Sequence, residues 1–112
     1  MSLQEGLEAE EKASSYLQKE GYSILARNFH SKFGEIDIIA LQDNTLHFCE
    51  VKFSKKYDPI TRITASKMAK IIKTINNRQL YSLQLLSATR CIQLCVTNGT
   101  HVAKSIQYYR TG

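Results

Sequence analysis

Over the first twenty positions, apolar residues recur at helical spacing. Leu3, Leu7, Ala9, Ala13, Tyr16 and Leu17 fall on one broad side. This predicts a helix from about Leu3 to Glu20, stopped at Gly21, a residue type common just past a helix C-terminus. The rhythm then changes. Tyr22 to Phe29, Glu35 to Leu41 and Thr45 to Phe53 are short β-branched and apolar runs that read as strands. A second helical stripe follows, with Ala65, Met68, Ile71, Ile72 and Ile75 on one side, predicting a helix from Ile60–Arg62 to about Leu80. Arg90 to Thr97 and Thr100 to Tyr109 are the last two strands, joined by Asn98-Gly99, a strong hairpin signal. The order is helix, three strands, helix, two strands, which reads as one domain of α/β class.

Two places carry more than periodicity. In the first helix, Glu8 and Glu11 point away from the apolar side, whereas Glu10 points into it. A carboxylate there is costly unless paired, or else it sits at the edge and reaches solvent. In the central hairpin, Asp43-Asn44 suits a two-residue turn, because both residues tolerate positive φ. A turn centred there sets Gln42 against Thr45, Leu41 against Leu46 and Ile39 against Phe48. Continuing outward, Asp37 faces Glu50 and Glu35 faces Lys52. All four charged residues then share one face, far from the turn. Directly opposed carboxylates repel unless a cation lies between them or one holds a proton. Oxygen ligands of this kind suit Mg²⁺ or Mn²⁺, and such a cluster suits phosphodiester hydrolysis, with Lys52 placed to orient water or stabilise phosphoryl charge. The competing reading is a surface ladder of ion pairs, Glu35 with Lys52. A bulge or a loop of odd length would move the partners to opposite faces.

Composition narrows the setting. The 112 residues fit one domain, 1–112, with no repeat and no low-complexity tract. Net charge is +5, which favours an anionic partner such as nucleic acid without requiring one. Lys55 and Lys56 follow the acidic strand, and Arg62, Lys67 and Lys70 lie on or before the second helix, a set able to grip phosphates. The alternative for each is a solvated helix face. Tyr57, Tyr81, Tyr108 and Tyr109 are candidates for base stacking or for core packing. The three cysteines, Cys49, Cys91 and Cys95, form no Cys-x-x-Cys pair, which argues for buried thiols in a reducing compartment. No run approaches membrane-spanning length and the N-terminus lacks signal-peptide character, so the expected location is the cytoplasm.

The segments Gly34-Glu35-Ile36-Asp37 and Phe48-Cys49-Glu50-Val51-Lys52 resemble the bacterial YraN family of small proteins predicted to be endonucleases. That family is similar to archaeal Holliday junction resolvases and to the PD-(D/E)XK nuclease superfamily. The resemblance runs from about Gly6 to Leu80, through Glu10-Glu11-Lys12-Ala13, Gly21 to Asn28 and the helix lysine Lys67. It implies a restriction-endonuclease-like fold, a mixed central sheet flanked by helices, with Glu10, Asp37 and Glu50 as metal ligands and these three with Lys52 as the catalytic set. Glu35 would support the site. The implied substrate is DNA, branched, damaged or duplex, and the fold's habit of cutting both strands as dimers raises a homodimer as an expectation. Departures are Ala9 where a glycine is usual, Phe53 where a basic residue is usual, and Cys91-Ile92 after Arg90 where an aspartate is usual. Two other functions fit the same residues: a DNA- or protein-binding module without cleavage, and a structural protein with an acidic ion-pair network.

Overall fold

The computed structural model describes residues 3–56 and 61–110. Helix α1 (Leu3–Lys19) is followed by β1 (Ser23–Ser31), β2 (Gly34–Gln42) and β3 (Thr45–Phe53), then α2 (Ala65–Ile75), β4 (Thr89–Thr97) and β5 (Val102–Arg110). The strands form one five-stranded sheet in the order β1-β2-β3-β4-β5. Every neighbouring pair is antiparallel except β3 with β4, which is parallel. A parallel return needs a crossover, and the segment carrying α2 supplies it. The architecture is the expected α/β one, a mixed sheet flanked by helices, and is compatible with a restriction-endonuclease-like fold.

The helix stop and the hairpin turn follow the local chemistry. At the end of α1, Tyr22 N–H donates to the Leu17 carbonyl at 2.9 Å and Gly21 N–H to that of Gln18 at 3.1 Å. Gly21, at φ 93°, takes the left-handed conformation this closure requires. At the central hairpin both turn residues have positive φ, Asp43 at 51° and Asn44 at 59°, the conformation that matches strand twist in a two-residue loop. Asn44→Ala is therefore expected to destabilise the fold by about 1 kcal/mol, whereas Asn44→Gly leaves it unchanged or slightly firmer. Urea unfolding of the two variants checks this.

Other boundaries differ from the sequence expectation. The second helix begins at Ala65, because the Thr64 side chain accepts the Lys67 N–H at 3.2 Å and caps it there. Of the expected start at Ile60 to Arg62, Ile60 lies outside the described residues, as does Tyr57, while Thr61 and Arg62 precede the helix. The helix ends at Ile75 rather than near Leu80. Asn76 and Asn77 are weak helix formers, and the Tyr81 hydroxyl donates to the Ile75 carbonyl at 2.6 Å, satisfying one of the helix's terminal acceptors. Two short 3₁₀ turns, Arg78–Leu80 and Leu83–Leu85, follow. The last hairpin is wider than a two-residue turn: Asn98 Oδ1 accepts from both Thr100 and His101 N–H at 2.9 Å, so β5 starts at Val102.

A core lies on each side of the sheet. Ala9, Ala13 and Leu17 of α1 pack with Ile38, Ala40, Cys49, Val51 and Cys95. Ile63 and, from α2, Ile71 and Ile75 pack with Ile36, Ile39, Leu46, Phe48, Ile92 and Leu94. Cys49, Cys91 and Cys95 are free and buried. Among the described residues no helix is long and apolar enough to cross a membrane.

Candidate active site

The β2–β3 ladder follows the expected register from Gln42 with Thr45 through Leu41 with Leu46 and Ile39 with Phe48 to Ile38 with Cys49. There the ladder stops. The expected facing pairs, Asp37 with Glu50 and Glu35 with Lys52, are not part of it. Asp37 instead accepts the Val51 N–H on Oδ2 at 2.8 Å. A side-chain carboxylate thus takes a backbone donor where interstrand pairing ends. The alternation of β2 slips at the same point: Ile36 joins Ile39 in the α2-side core, while Ile38 packs beneath α1.

Into this opening α1 brings its inward-facing glutamate. Glu10 is 9 % exposed, whereas its neighbours Glu8 and Glu11 are exposed. Glu11 accepts from Arg27 Nη1 at 3.0 Å, and the Arg27 charge also acts on Glu10. Glu10, Glu35, Asp37 and Glu50 all line one open cavity of about 350 Å³, together with Asn28, Val51 and the first turn of α1. Asp37 and Glu50 therefore open onto the same space.

The electrostatics follow from that crowding. Burial, then the charge of Asp37, raises the Glu10 carboxyl above its ordinary value. Burial raises Asp37 too, against the opposing Val51 hydrogen bond and the Lys67 charge. Glu50 is pushed up to about 7, first by burial and then by Asp37, with Lys67 offsetting part of it. A carboxyl raised in the folded state stabilises the fold fully below its unfolded value. That contribution is lost as pH rises through the folded value. For Glu50 the window runs from the ordinary 4.5 to about 7. Glu50→Gln is accordingly expected to melt about 5 °C above the parent at pH 8 in the absence of divalent ions. The difference should shrink by pH 5, and paired thermal melts at the two pH values check it.

The lysines divide differently from the sequence expectation. Lys67, at the start of α2, places Nζ 3.4 Å from Glu50 Oε2. Lys52 Nζ donates to the Arg62 carbonyl at 3.0 Å, although its charge still acts on Glu50. Lys67, a phosphate-gripping candidate by sequence, faces the acidic cluster instead. Its distance in sequence from Glu50 hides this contact, which arises only once α2 folds back. Lys55, Lys56, Arg62 and Lys70 are exposed, and the Lys70 stem covers Gly34. Tyr81 is half-buried with the Arg90 guanidinium 4.3 Å over its ring, and Tyr109 is exposed on β5.

The donor set fits a hard divalent cation: the charged groups lining the cavity are all carboxylates. Oε2 of Glu50 is buried with no hydrogen-bond partner, and the Lys67 ammonium stands at ion-pair distance from it. No group of three or more carboxylate, imidazole or thiol side chains among the described residues stands in a ready-made cage. Mg²⁺ does not need one, since it keeps several waters and can share substrate phosphate oxygens with the carboxylates.

Comparison with known proteins follows the same residues. The model of the uncharacterised protein family UPF0102 matches residues 9–93. A UPF0102 protein of Campylobacter fetus is 58 % identical over 72 residues, covering 63 % of this chain and 64 % of that protein. One from Helicobacter pylori is 50 % identical over 95 residues, covering 84 % of this chain and 82 % of that protein. Another, from Campylobacter jejuni, is 54 % identical over 72 residues. The matched stretch thus spans just under two thirds of the Campylobacter fetus protein and about four fifths of the Helicobacter pylori one.

Proposed function

From the premise that the chain belongs to the uncharacterised protein family UPF0102, we propose that it is a metal-dependent endonuclease-like protein that binds DNA and hydrolyses its phosphodiester bonds. The observation that carries this reading is the meeting of Glu10, Asp37 and Glu50 at one open cavity where β2 and β3 part. Burial and mutual repulsion raise all three carboxyls, as happens where charges are gathered at a functional site. The resemblance to PD-(D/E)XK nucleases assigns the same residues.

Glu10, Asp37 and Glu50 would hold Mg²⁺ or Mn²⁺. When bound, such an ion polarises a phosphoryl oxygen and acidifies a water. The chain's own groups do the rest. Asp37 is held in place by the Val51 N–H. Lys67 neutralises Glu50 until a cation arrives. Lys52, one residue past Val51, supplies a second positive charge near Glu50 for the developing phosphoryl charge. Glu35 supports the wall of the cavity. Lys55, Lys56, Arg62 and Lys70 are exposed cations that would receive the DNA backbone. A homodimer would let two such sites act on two strands, and a cytoplasmic location accords with the three free thiols.

The test is a Mn²⁺ titration followed by cleavage assays on branched, duplex and single-stranded DNA, with Lys52→Ala alongside. Saturable binding and cleavage that falls about a hundredfold in the variant is the expected result. Saturable Mn²⁺ binding with no cleavage of any DNA would leave a binding module. No Mn²⁺ binding at all would leave an acidic ion-pair network and end the enzymatic reading.

A further inference from the structure

Asn28 has a backbone unlike the rest of its strand. It lies within β1 yet has φ 52°, the left-handed region that non-glycine residues avoid at a penalty of roughly 1–2 kcal/mol. Its neighbours pair normally, Arg27 with Ile38 and Phe29 with Ile36, so Asn28 lies across from Asp37. Asparagine is depleted in strands and tolerates this conformation better than most side chains. Tolerance alone would be met equally well by glycine. What glycine lacks is the amide.

That amide is aimed into the acidic cavity. Set with its nitrogen toward the carboxylates, it donates to Glu10 Oε1 at 2.8 Å, with Glu10 Oε2 and Glu35 Oε1 each at 3.2 Å. The opposite setting would press its oxygen against theirs. Glu10 comes from α1 and Glu35 from β2, so one side chain of β1 bridges a helix and a neighbouring strand. We infer that Asn28 is a positioning residue. Its amide nitrogen clamps Glu10 to Glu35 and so holds the helix carboxylate at the cavity, close to Asp37, with no ion present. The left-handed backbone at Asn28 is the strain accepted to turn the amide inward. The benefit to cation binding rests on the metal-dependent reading above; the contact itself does not.

A double-mutant cycle between Asn28→Gly and Glu10→Ala, read by thermal melting of the metal-free chain at pH 8, tests the contact. Glycine keeps the backbone conformation and removes the amide; its relief of the left-handed strain is common to both backgrounds and cancels in the cycle. Asn28→Gly is expected to lower Tm by about 4 °C in the parent and by much less in the Glu10→Ala background. Should Asn28→Gly not fold, Asn28→Asp carries the same cycle, since it keeps the size and left-handed tolerance but replaces the donor with a like charge. In the second arm, Asn28→Gly is expected to weaken Mn²⁺ binding about tenfold, an effect that a purely backbone role would not produce. Equal Tm changes in both backgrounds would overturn the inference, as would an unchanged Mn²⁺ affinity in a parent that binds the ion. A parent that binds no Mn²⁺ would remove the cation reading, and the cycle would then decide the contact by itself.

Discussion

Asp37→Asn is expected to reduce metal-dependent DNA cleavage on the order of a thousandfold while leaving the fold intact. The two effects separate because the side chain does two things. Its Oδ2 receives the Val51 N–H at 2.8 Å, and an asparagine carbonyl in the same place can still accept that bond. The variant also removes the charge that raises both Glu10 and Glu50. The melting temperature of the metal-free variant is therefore expected to match or exceed that of the parent at pH 8. Loss of cleavage together with loss of stability would show that Asp37 is chiefly structural. Retained cleavage would place the chemistry elsewhere. A cleavage assay and a melting curve on one preparation give both readings.

Phe48→Ala is expected to be the most damaging single change to the fold, at about 3–5 kcal/mol. Phe48 is fully buried in the α2-side core. It also borders an existing apolar cavity of about 200 Å³, together with Ile39, Leu46, Tyr81 and others. Removing the ring enlarges a void whose floor is hydrogen-bonded sheet and cannot collapse to fill it. A fall in Tm of about 15 °C or more is expected for a domain of this size, and urea unfolding at 25 °C gives the free energy directly. Phe48 does not line the acidic cavity, so any Mn²⁺ affinity measured for the parent should persist in the folded fraction.

The central hairpin was legible because its turn residues dictate both loop length and register. Asp43 and Asn44 accept positive φ, and five consecutive pairs follow from that. Counting outward from the turn placed Asp37 and Glu50 near each other, but it assumed a regular ladder to the end. It could not show that Asp37 would take the Val51 N–H for itself and part the strands. Helical phase marked Glu10 as the inward glutamate, and it is the buried one. Periodicity was silent on Lys67, whose contact with Glu50 depends on how the segment after β3 returns. Asn28 left one overlooked signal, an asparagine within a run otherwise suited to a strand. The end of the second helix is not legible in an apolar stripe without a sharp limit; the stop comes from Asn76, Asn77 and the Tyr81 hydroxyl on the Ile75 carbonyl.

The sheet's outer strand β5 guards its neighbour. Six consecutive residues of β4, Arg90 to Cys95, are buried, and the strand pairs with β3 on one side and β5 on the other. On β5 itself Lys104 and Arg110 are exposed and a bulge faces Ile92–Gln93, features that discourage lateral stacking of copies. A chain cut back to Asn98 would bare a long, flat, greasy template of unmatched amides beside those residues. Such a fragment should be recovered from expression as fibrous or insoluble material, however sound the acidic cavity on the other half of the sheet.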